Sequence, residues 1–484
     1  MARAAAGITL LFAVVATACG RSEAEVVPGI WPSWLRECTH ANMPARCGTV
    51  EVPESPSAPG SRRLPIRVVV LVARPDRPTD DPVVALVGGP GQAATESAGQ
   101  SPQRLQAYGQ IRDVVLIDQR GTGEAHGLHC PPPASATDLM GRVFDPARLT
   151  SCRDELAARA DLTKYTTSLA AGDYARILDR LPYRQVNLWG VSYGTRLALE
   201  IARRTPDRVR AMILDAVVPT DFTWPTTAAT DLDAGLDAVA GDCARDPQCS
   251  AAFPDVGGDI AAAFAGVRLG ASAVVPDPAT GTTGRVPFGA SDLAYAARGL
   301  LYNNGAWSLP LFFREARRGQ YEAFAEAYVN RARTLDRTIA RGVHLGVYCA
   351  EDLPFVDWTR AEAAAAPTRL GTYLLDEYRR ACEIWPRGTP PADFRAPITV
   401  NVPTLLLSGR RDPVTPPWTA EQVVRTLSRA RVVVWPFGGH GVDGLVSADC
   451  RGRLVAEFLR TADPDQLPLA CTTQDPVRSF WLSR

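Results

Sequence analysis

The sequence predicts an α/β fold with a mainly parallel sheet and a helical insertion, on three observations. Eight short runs of β-branched and aliphatic residues recur with helical patterns between most of them. In Leu188-Trp189-Gly190-Val191-Ser192-Tyr193-Gly194-Thr195 an apolar run stops at G-x-S-x-G, and a helical pattern follows from Thr195 to Ile201. Between Asp215 and Val400 the strand–helix alternation breaks, and long helical patterns such as Leu309 to Ala340 take over.

Taken in order, Thr49–Val52 and Leu64–Ala73 read as the first two strands, at an antiparallel edge. Val83–Val87, Asp113–Ile117, Val186–Trp189 and Ala211–Leu214 continue the sheet, and Leu405–Leu407 and Val432–Val434 complete it. Helical segments such as Ser168–Leu181 suit crossovers between parallel strands. The insertion carries Trp224, Trp307, Trp358 and Trp385 and a short alanine run, Ala363–Ala366. Ser192 and Asp412 lie on opposite sides of it and must converge in one core, so it is expected as a cap over the sheet, not an appended domain. The organisation expected is 1–18 signal peptide, 19–36 linker, 37–219 first part of the core, 220–400 mostly helical cap, and 401–484 the rest of the core.

The strand–turn–helix around Ser192 is the context of a nucleophile elbow. Its sharp turn needs glycine on both sides of the serine, because a Cβ there would collide with neighbouring backbone. The pattern alone is weak, and its meaning comes from what precedes and follows it. Upstream, Val83–Val87 ends in Gly88-Gly89-Pro90-Gly91. A glycine turn after the third core strand supplies one oxyanion-hole amide, here from Gly88 or Gly89, and the residue after the serine, Tyr193, supplies the other. Such donors lower a barrier by roughly 3–4 kcal/mol each. Downstream, Asp412 follows a strand and precedes Pro413 and Pro416, and His440 sits in Gly438-Gly439-His440-Gly441 after the last strand. The order Ser192, Asp412, His440 makes His440 the base and Asp412 the group that holds its tautomer. Of the five histidines only His440 is placed for this role.

Gly88-Gly89-Pro90-Gly91, Asp118-Gln119-Arg120-Gly121-Thr122-Gly123 and the serine elbow resemble the prolyl-iminopeptidase branch of the α/β-hydrolases. Asp412-Pro413-Val414-Thr415-Pro416 with Gly439-His440-Gly441 is similar to the tripeptidyl aminopeptidases secreted by high-GC bacteria. The resemblance runs from about Cys38 to about Cys471. Val87 stands where prolyl iminopeptidases usually carry histidine, and Ala125 where serine is common; these departures leave the triad intact and bear on the substrate. The resemblance implies the α/β-hydrolase fold, no metal or organic cofactor, and a cap that blocks long chains and holds a free amino terminus with acidic side chains. Glu351 and Asp352, within Val347–Asp352, are the candidates for that contact; solvation or helix capping is the other reading of both. Asp118 and Arg120 are expected to organise the turn after the fourth strand rather than to react.

Met1–Ala18 carries one charge, Arg3, and an apolar run from Ile8 to Ala16, the pattern of a signal peptide. Val15-Ala16-Thr17-Ala18-Cys19-Gly20 resembles a bacterial lipobox with Cys19 as the lipidated residue, although Ala16 replaces the usual leucine. Release after cleavage near Ala18 is the alternative. No other run reaches the roughly 20 apolar residues of a spanning helix. The ten remaining cysteines, Cys38, Cys47, Cys130, Cys152, Cys243, Cys249, Cys349, Cys382, Cys450 and Cys471, suggest disulfides in an exported chain; sequential pairing is one of many connectivities. His126-x-x-His129-Cys130 has no second ligand pair after it, so no metal is expected. Balanced charge, with 52 basic and 52 acidic residues and no basic tract, argues against nucleic acid as a partner. The single lysine, Lys164, reflects composition rather than function.

The function expected is an exported serine exopeptidase that removes di- or tripeptides from free N-termini through an acyl-enzyme on Ser192. An esterase or lipase-like hydrolase with the same triad is the alternative, because the elbow does not distinguish amide from ester.

Overall fold

The computed structural model describes residues 30–484 apart from 74–76, 98–110, 134, 136, 277–280, 442–447, 475–478 and 484. The expected signal peptide and Cys19 lie outside the described residues. Before the insertion come β1 (Arg36–His40), β2 (Met43–Pro53), β3 (Arg63–Leu71), β4 (Val83–Leu86), β5 (Val114–Ile117), β6 (Val186–Val191) and β7 (Val209–Asp215). Within the insertion β8 (Ala271–Pro276) and β9 (Thr283–Phe288) form a separate antiparallel hairpin. β10 (Thr404–Gly409) and β11 (Ala430–Trp435) follow it.

The main sheet has the order β1-β2-β3-β5-β4-β6-β7-β10-β11. β1, β2, β3 and β5 pair antiparallel in turn, and β5, β4, β6, β7, β10 and β11 are parallel neighbours. Every residue of β4, β5 and β10 is buried. Strands covered on both faces read as unbroken aliphatic runs, which is why they were legible. After β4 the chain goes to one side, to β5, and then returns to β6 on the other. The loops after β4 and β6 therefore leave neighbouring strand ends, at a topological switch point.

Among the described residues the sheet has nine strands, not the eight that the sequence predicts. The additional strand, β1, is Arg-Glu-Cys-Thr-His, with no buried residue and so no apolar alternation to read. A tight turn through Ala41 and Asn42, both at positive φ, and the Cys38–Cys47 disulfide hold it against β2.

The insertion is mainly helical, with the β8–β9 hairpin as an exception. Its helices include Ala228–Arg245, Ala290–Tyr302, Glu322–Thr338, Arg341–Glu351 and Tyr373–Ile384. The pattern expected over Leu309–Ala340 is interrupted: Leu309–Ala316 ends, Gly319 turns the chain at φ +83, and a new helix starts at Glu322. A glycine in this conformation just past a helix is a C-terminal cap.

The disulfides pair sequentially, Cys38–Cys47, Cys130–Cys152, Cys243–Cys249, Cys349–Cys382 and Cys450–Cys471. Cys130 is thereby removed from any metal site with His126 and His129. Cys349–Cys382 clamps two insertion helices across a separation of 33 residues. Replacing both cysteines by serine is expected to lower the unfolding free energy by about 3–4 kcal/mol. A denaturant titration reads this, and an unchanged midpoint would show that the helices hold together without the bond.

Candidate active site

β6 runs between β4 and β7, with Gly190 opposite Leu86 and Leu214. Ser192 follows at φ 57, ψ −128, and the helix Tyr193–Arg204 starts at once. A non-glycine residue with positive φ is strained and persists only where its surroundings enforce it. The enforcement is steric: a Cβ on Gly190 would stand 2.6 Å from the Gly194 carbonyl oxygen, and one on Gly194 would run into the Leu86 carbonyl. The Ser192 N–H donates to the Asp215 carbonyl at 2.8 Å, and its own carbonyl accepts from the Thr195 N–H and hydroxyl at 2.9 and 2.7 Å.

The turn after β4 lies directly against this serine. A Cβ on Gly88 would be 3.0 Å from the Ser192 Cβ. The next three carbonyls all point towards the insertion: the Tyr348 hydroxyl donates to Gly89 at 3.4 Å, His344 Nδ1 to Pro90 at 3.2 Å, and the Ala340 N–H to Gly91 at 2.8 Å. His344 Nε2 accepts from the Tyr378 hydroxyl at 2.9 Å. Burial, with Arg341 adding, lowers His344 to about 3, so it is a neutral strut and not a base. The Gly89 and Tyr193 N–H groups make no hydrogen bond among the described residues. Tyr193 is braced from behind, its hydroxyl 2.7 Å from the Thr167 hydroxyl, which donates to Glu351 at 2.7 Å.

His440 and Asp412 meet as the chain order predicts. His440 Nδ1 lies 2.9 Å from Asp412 Oδ2 and 3.1 Å from Oδ1. Asp412 also accepts from the Val414 N–H at 2.8 Å, the Thr415 N–H at 3.1 Å and the Thr415 hydroxyl at 2.6 Å. Burial alone would raise its carboxyl, but His440 and the Thr415 hydrogen bonds bring it below the ordinary range. It stays ionised and holds the proton on Nδ1, which leaves Nε2 as the basic nitrogen. Nε2 is buried and has no hydrogen-bond partner among the described residues. The Tyr302 ring stacks on the imidazole at 4.2 Å.

Ser192, Tyr193 and Gly89 open into a pocket walled mainly by the insertion, including Trp224, Arg298, Tyr302, Arg331, Tyr348, Asp352 and Tyr378. Of the two carboxylates expected at a substrate amino terminus, the structure brings only Asp352 to this pocket. Its Oδ1 pairs with Arg196 at 2.8 Å, and among the described residues Oδ2 receives only the Trp224 N–H at 3.4 Å. Glu351 is fully buried behind Tyr193, with both oxygens taken by Thr167. Burial raises it to about 7, against the pull of Arg196 3.9 Å away. Asp118 accepts from the Thr95 N–H and hydroxyl at 2.9 and 2.8 Å, and Arg120 pairs with Asp173 at 2.7 Å, so both organise loops.

Sequence reasoning missed Thr415, Tyr302, His344, Tyr348, Arg298 and Arg331. Asp412-x-x-Thr415 is an Asx-type spacing that could have flagged the first. The others lie on insertion helices, where an aromatic or arginine facing the pocket has the same pattern as one facing the core.

Comparison with known proteins matches the segments that carry Ser192, Asp412 and His440. The profile of the family described as alpha/beta hydrolase fold matches residues 81–251, and that of the TAP-like proteins matches 366–471. A tripeptidyl aminopeptidase of Streptomyces coelicolor is 23% identical over 466 residues, covering 88% of this chain and 83% of that protein. Serine protease Hip1 of Mycobacterium tuberculosis is 26% identical over 422 residues, 77% of each. Among solved structures, a proline iminopeptidase of Mycobacterium smegmatis superimposes with a TM-score of 0.40 at 16% identity, over 86% of this chain and 99% of that one.

Asp231, on helix Ala228–Arg245, gives this site a pH signature. Burial raises its carboxyl to about 6, with the Asp412 charge adding to the effect. An unfolded aspartate titrates near 3.9, so the native state favours the protonated form. This contribution to stability is whole below about pH 4 and is lost as pH rises through 6. Asp231→Asn should remove the loss: its melting temperature is expected to gain on wild type between pH 4 and pH 7.5. A constant difference across that range would contradict the assignment.

Proposed function

From an α/β-hydrolase serine enzyme, which this chain is, we propose an exported exopeptidase that removes di- or tripeptides from free N-termini. The observation that carries the reading is the serine pocket walled by the insertion, in a chain resembling a tripeptidyl aminopeptidase over most of its length. A cap of this kind admits the end of a peptide more readily than its middle.

In this reading Ser192 Oγ attacks the scissile carbonyl carbon and its proton passes to His440 Nε2. The oxygen becomes an anion between the Gly89 and Tyr193 amides, next to Gly88. The C–N bond then breaks, His440 returns the proton to the leaving amine, and the N-terminal fragment remains as an ester on Ser192. Water, deprotonated by His440, hydrolyses that ester and releases the fragment as an acid. Asp352 Oδ2 is the candidate for the α-ammonium of the substrate, and Glu351 serves Tyr193 instead.

Export is supported by five disulfides, which persist in oxidising compartments. Lipidation at Cys19 would hold the enzyme at the outer face of the membrane; detergent-phase partitioning lost in Cys19→Ala is the expected result, and unchanged partitioning would exclude it.

The activity is tested with mono-, di- and tripeptidyl anilides, free and acetylated, and a short acyl ester, with Ser192→Ala as blank. Cleavage of one free-amine length, abolished by acetylation and by Ser192→Ala, is expected, with Asp412→Asn lowering kcat by about 10⁴-fold. Ester turnover with no anilide cleavage would replace the peptidase with an esterase. Failure of Ser192 to label with a fluorophosphonate would remove catalysis altogether.

A further inference from the structure

Two arginines face the pocket without a counter-charge. Arg298, on helix Ala290–Tyr302, is only 4% exposed and lines the pocket. Arg331, on helix Glu322–Thr338, lines it as well, and both Nε atoms are buried without a hydrogen-bond partner. Neither guanidinium has a carboxylate within ion-pair distance among the described residues; Asp412 and Asp231 act on Arg298 only at longer range.

Their positions are built rather than incidental. The Arg298 guanidinium lies 4.8 Å from the centre of the Trp224 ring, and that of Arg331 lies 4.3 Å from the centre of the Tyr302 ring. Arg331 crosses helix Ala290–Tyr302 at Gly299, where a Cβ would stand 2.7 Å from its Cδ. Tyr302 also stacks on His440, so Arg331 is one aromatic ring away from the base. Arg196 shows what a satisfied arginine looks like here: its nitrogens reach Asp352, Pro219 and Phe222 at 2.8, 3.2 and 2.8 Å.

The charge balance decides the chemistry. Arg196, Arg298 and Arg331 face the pocket against one carboxylate, Asp352, leaving two cations uncompensated. An unpaired charge withdrawn from water, as at the buried Arg298, is costly unless a partner arrives. Guanidinium pairs are well matched to a carboxylate, which they bind in a bidentate fork. Burial and the neighbouring Arg331 both lower the Arg298 pKa, a repulsion that an incoming anion would relieve.

We propose that Arg298 and Arg331 form an anion-binding subsite that selects substrates carrying a carboxylate close to the bond cleaved. The proposal rests on the exopeptidase reading and names its substrate class. The carboxylate has two possible sources, an acidic side chain in the released fragment or the free C-terminus of a short peptide.

The test uses the full mature chain and three kinds of matched pair. Ala-Ala-Glu against Ala-Ala-Gln anilide, and Ala-Glu-Ala against Ala-Gln-Ala anilide, report a side-chain carboxylate. Tetrapeptides with free or amidated C-termini report the terminal one. In wild type at least one pair is expected to favour the carboxylate by about tenfold in kcat/KM, with the ratio falling towards one in Arg298→Gln and in Arg331→Gln. Ratios near one in every wild-type pair, or a preference that survives in both variants, would overturn the proposal. Wild-type ratios near one overturn the proposal without either variant, and if one variant does not fold the ratio in the other decides, a preference that survives there overturning it. Should no amide be cleaved, the exopeptidase reading fails separately, and a hemisuccinate ester against a butyrate ester puts the same question to the arginines.

Discussion

The site depends first on how closely the start of helix Tyr193–Arg204 approaches β4. Gly194 lies against the Leu86 carbonyl and Gly190 against the Gly194 carbonyl, and neither position has room for a methyl group. This contact forces Ser192 into a positive φ at the end of β6. Because β4 is the hydrogen-bonded neighbour of β6, the same contact sets Gly88 beside the serine Cβ. Serine and glycine turn are thus one steric unit, and the strain at Ser192 is supported by the two neighbouring strands β4 and β6.

The insertion is fastened to that unit by buried polar contacts. Asp352 pairs with Arg196 on the elbow helix, and Glu351 holds Thr167, which holds Tyr193. Ala340, His344 and Tyr348 fall four residues apart on one helix face and engage three successive carbonyls of the glycine turn after β4. On the other side Asp242 of the insertion pairs with Arg411, next to Asp412, at 2.7 Å. Breaking one partner of such a pair strands a charge in a dry interior, which costs more than the pair contributes. The insertion therefore braces the serine turn and the glycine turn as well as walling the pocket.

This arrangement separates two kinds of charge within a few residues. Carboxylates beside the elbow are braced by arginines or hydroxyls, Glu351 through both oxygens and Asp352 through Oδ1, with its Oδ2 left to the pocket. Arg298 and Arg331, on two helices farther into the insertion, stack on aromatic faces and have no ion pair among the described residues. A pocket in which structural charges are paired and the remaining cations are stacked on rings has its selectivity written in the unpaired set.

How much of this was legible follows from the range of each interaction. Glycines beside Ser192, the glycine turn after β4, and Asp412 and His440 after their strands are local demands of backbone geometry, so the sequence by itself determined the parallel core and the order Ser192, Asp412, His440. β1 escaped because an exposed edge strand has no buried face to alternate. The pairing of Asp352 with Arg196, the retreat of Glu351 behind Tyr193, and the meeting of Arg298 with Arg331 join residues from 33 to 158 positions apart. Only the tertiary structure decided those. Whether a buried charge finds a partner depends on which helix faces meet across the core, and that is a property of packing that no local pattern encodes.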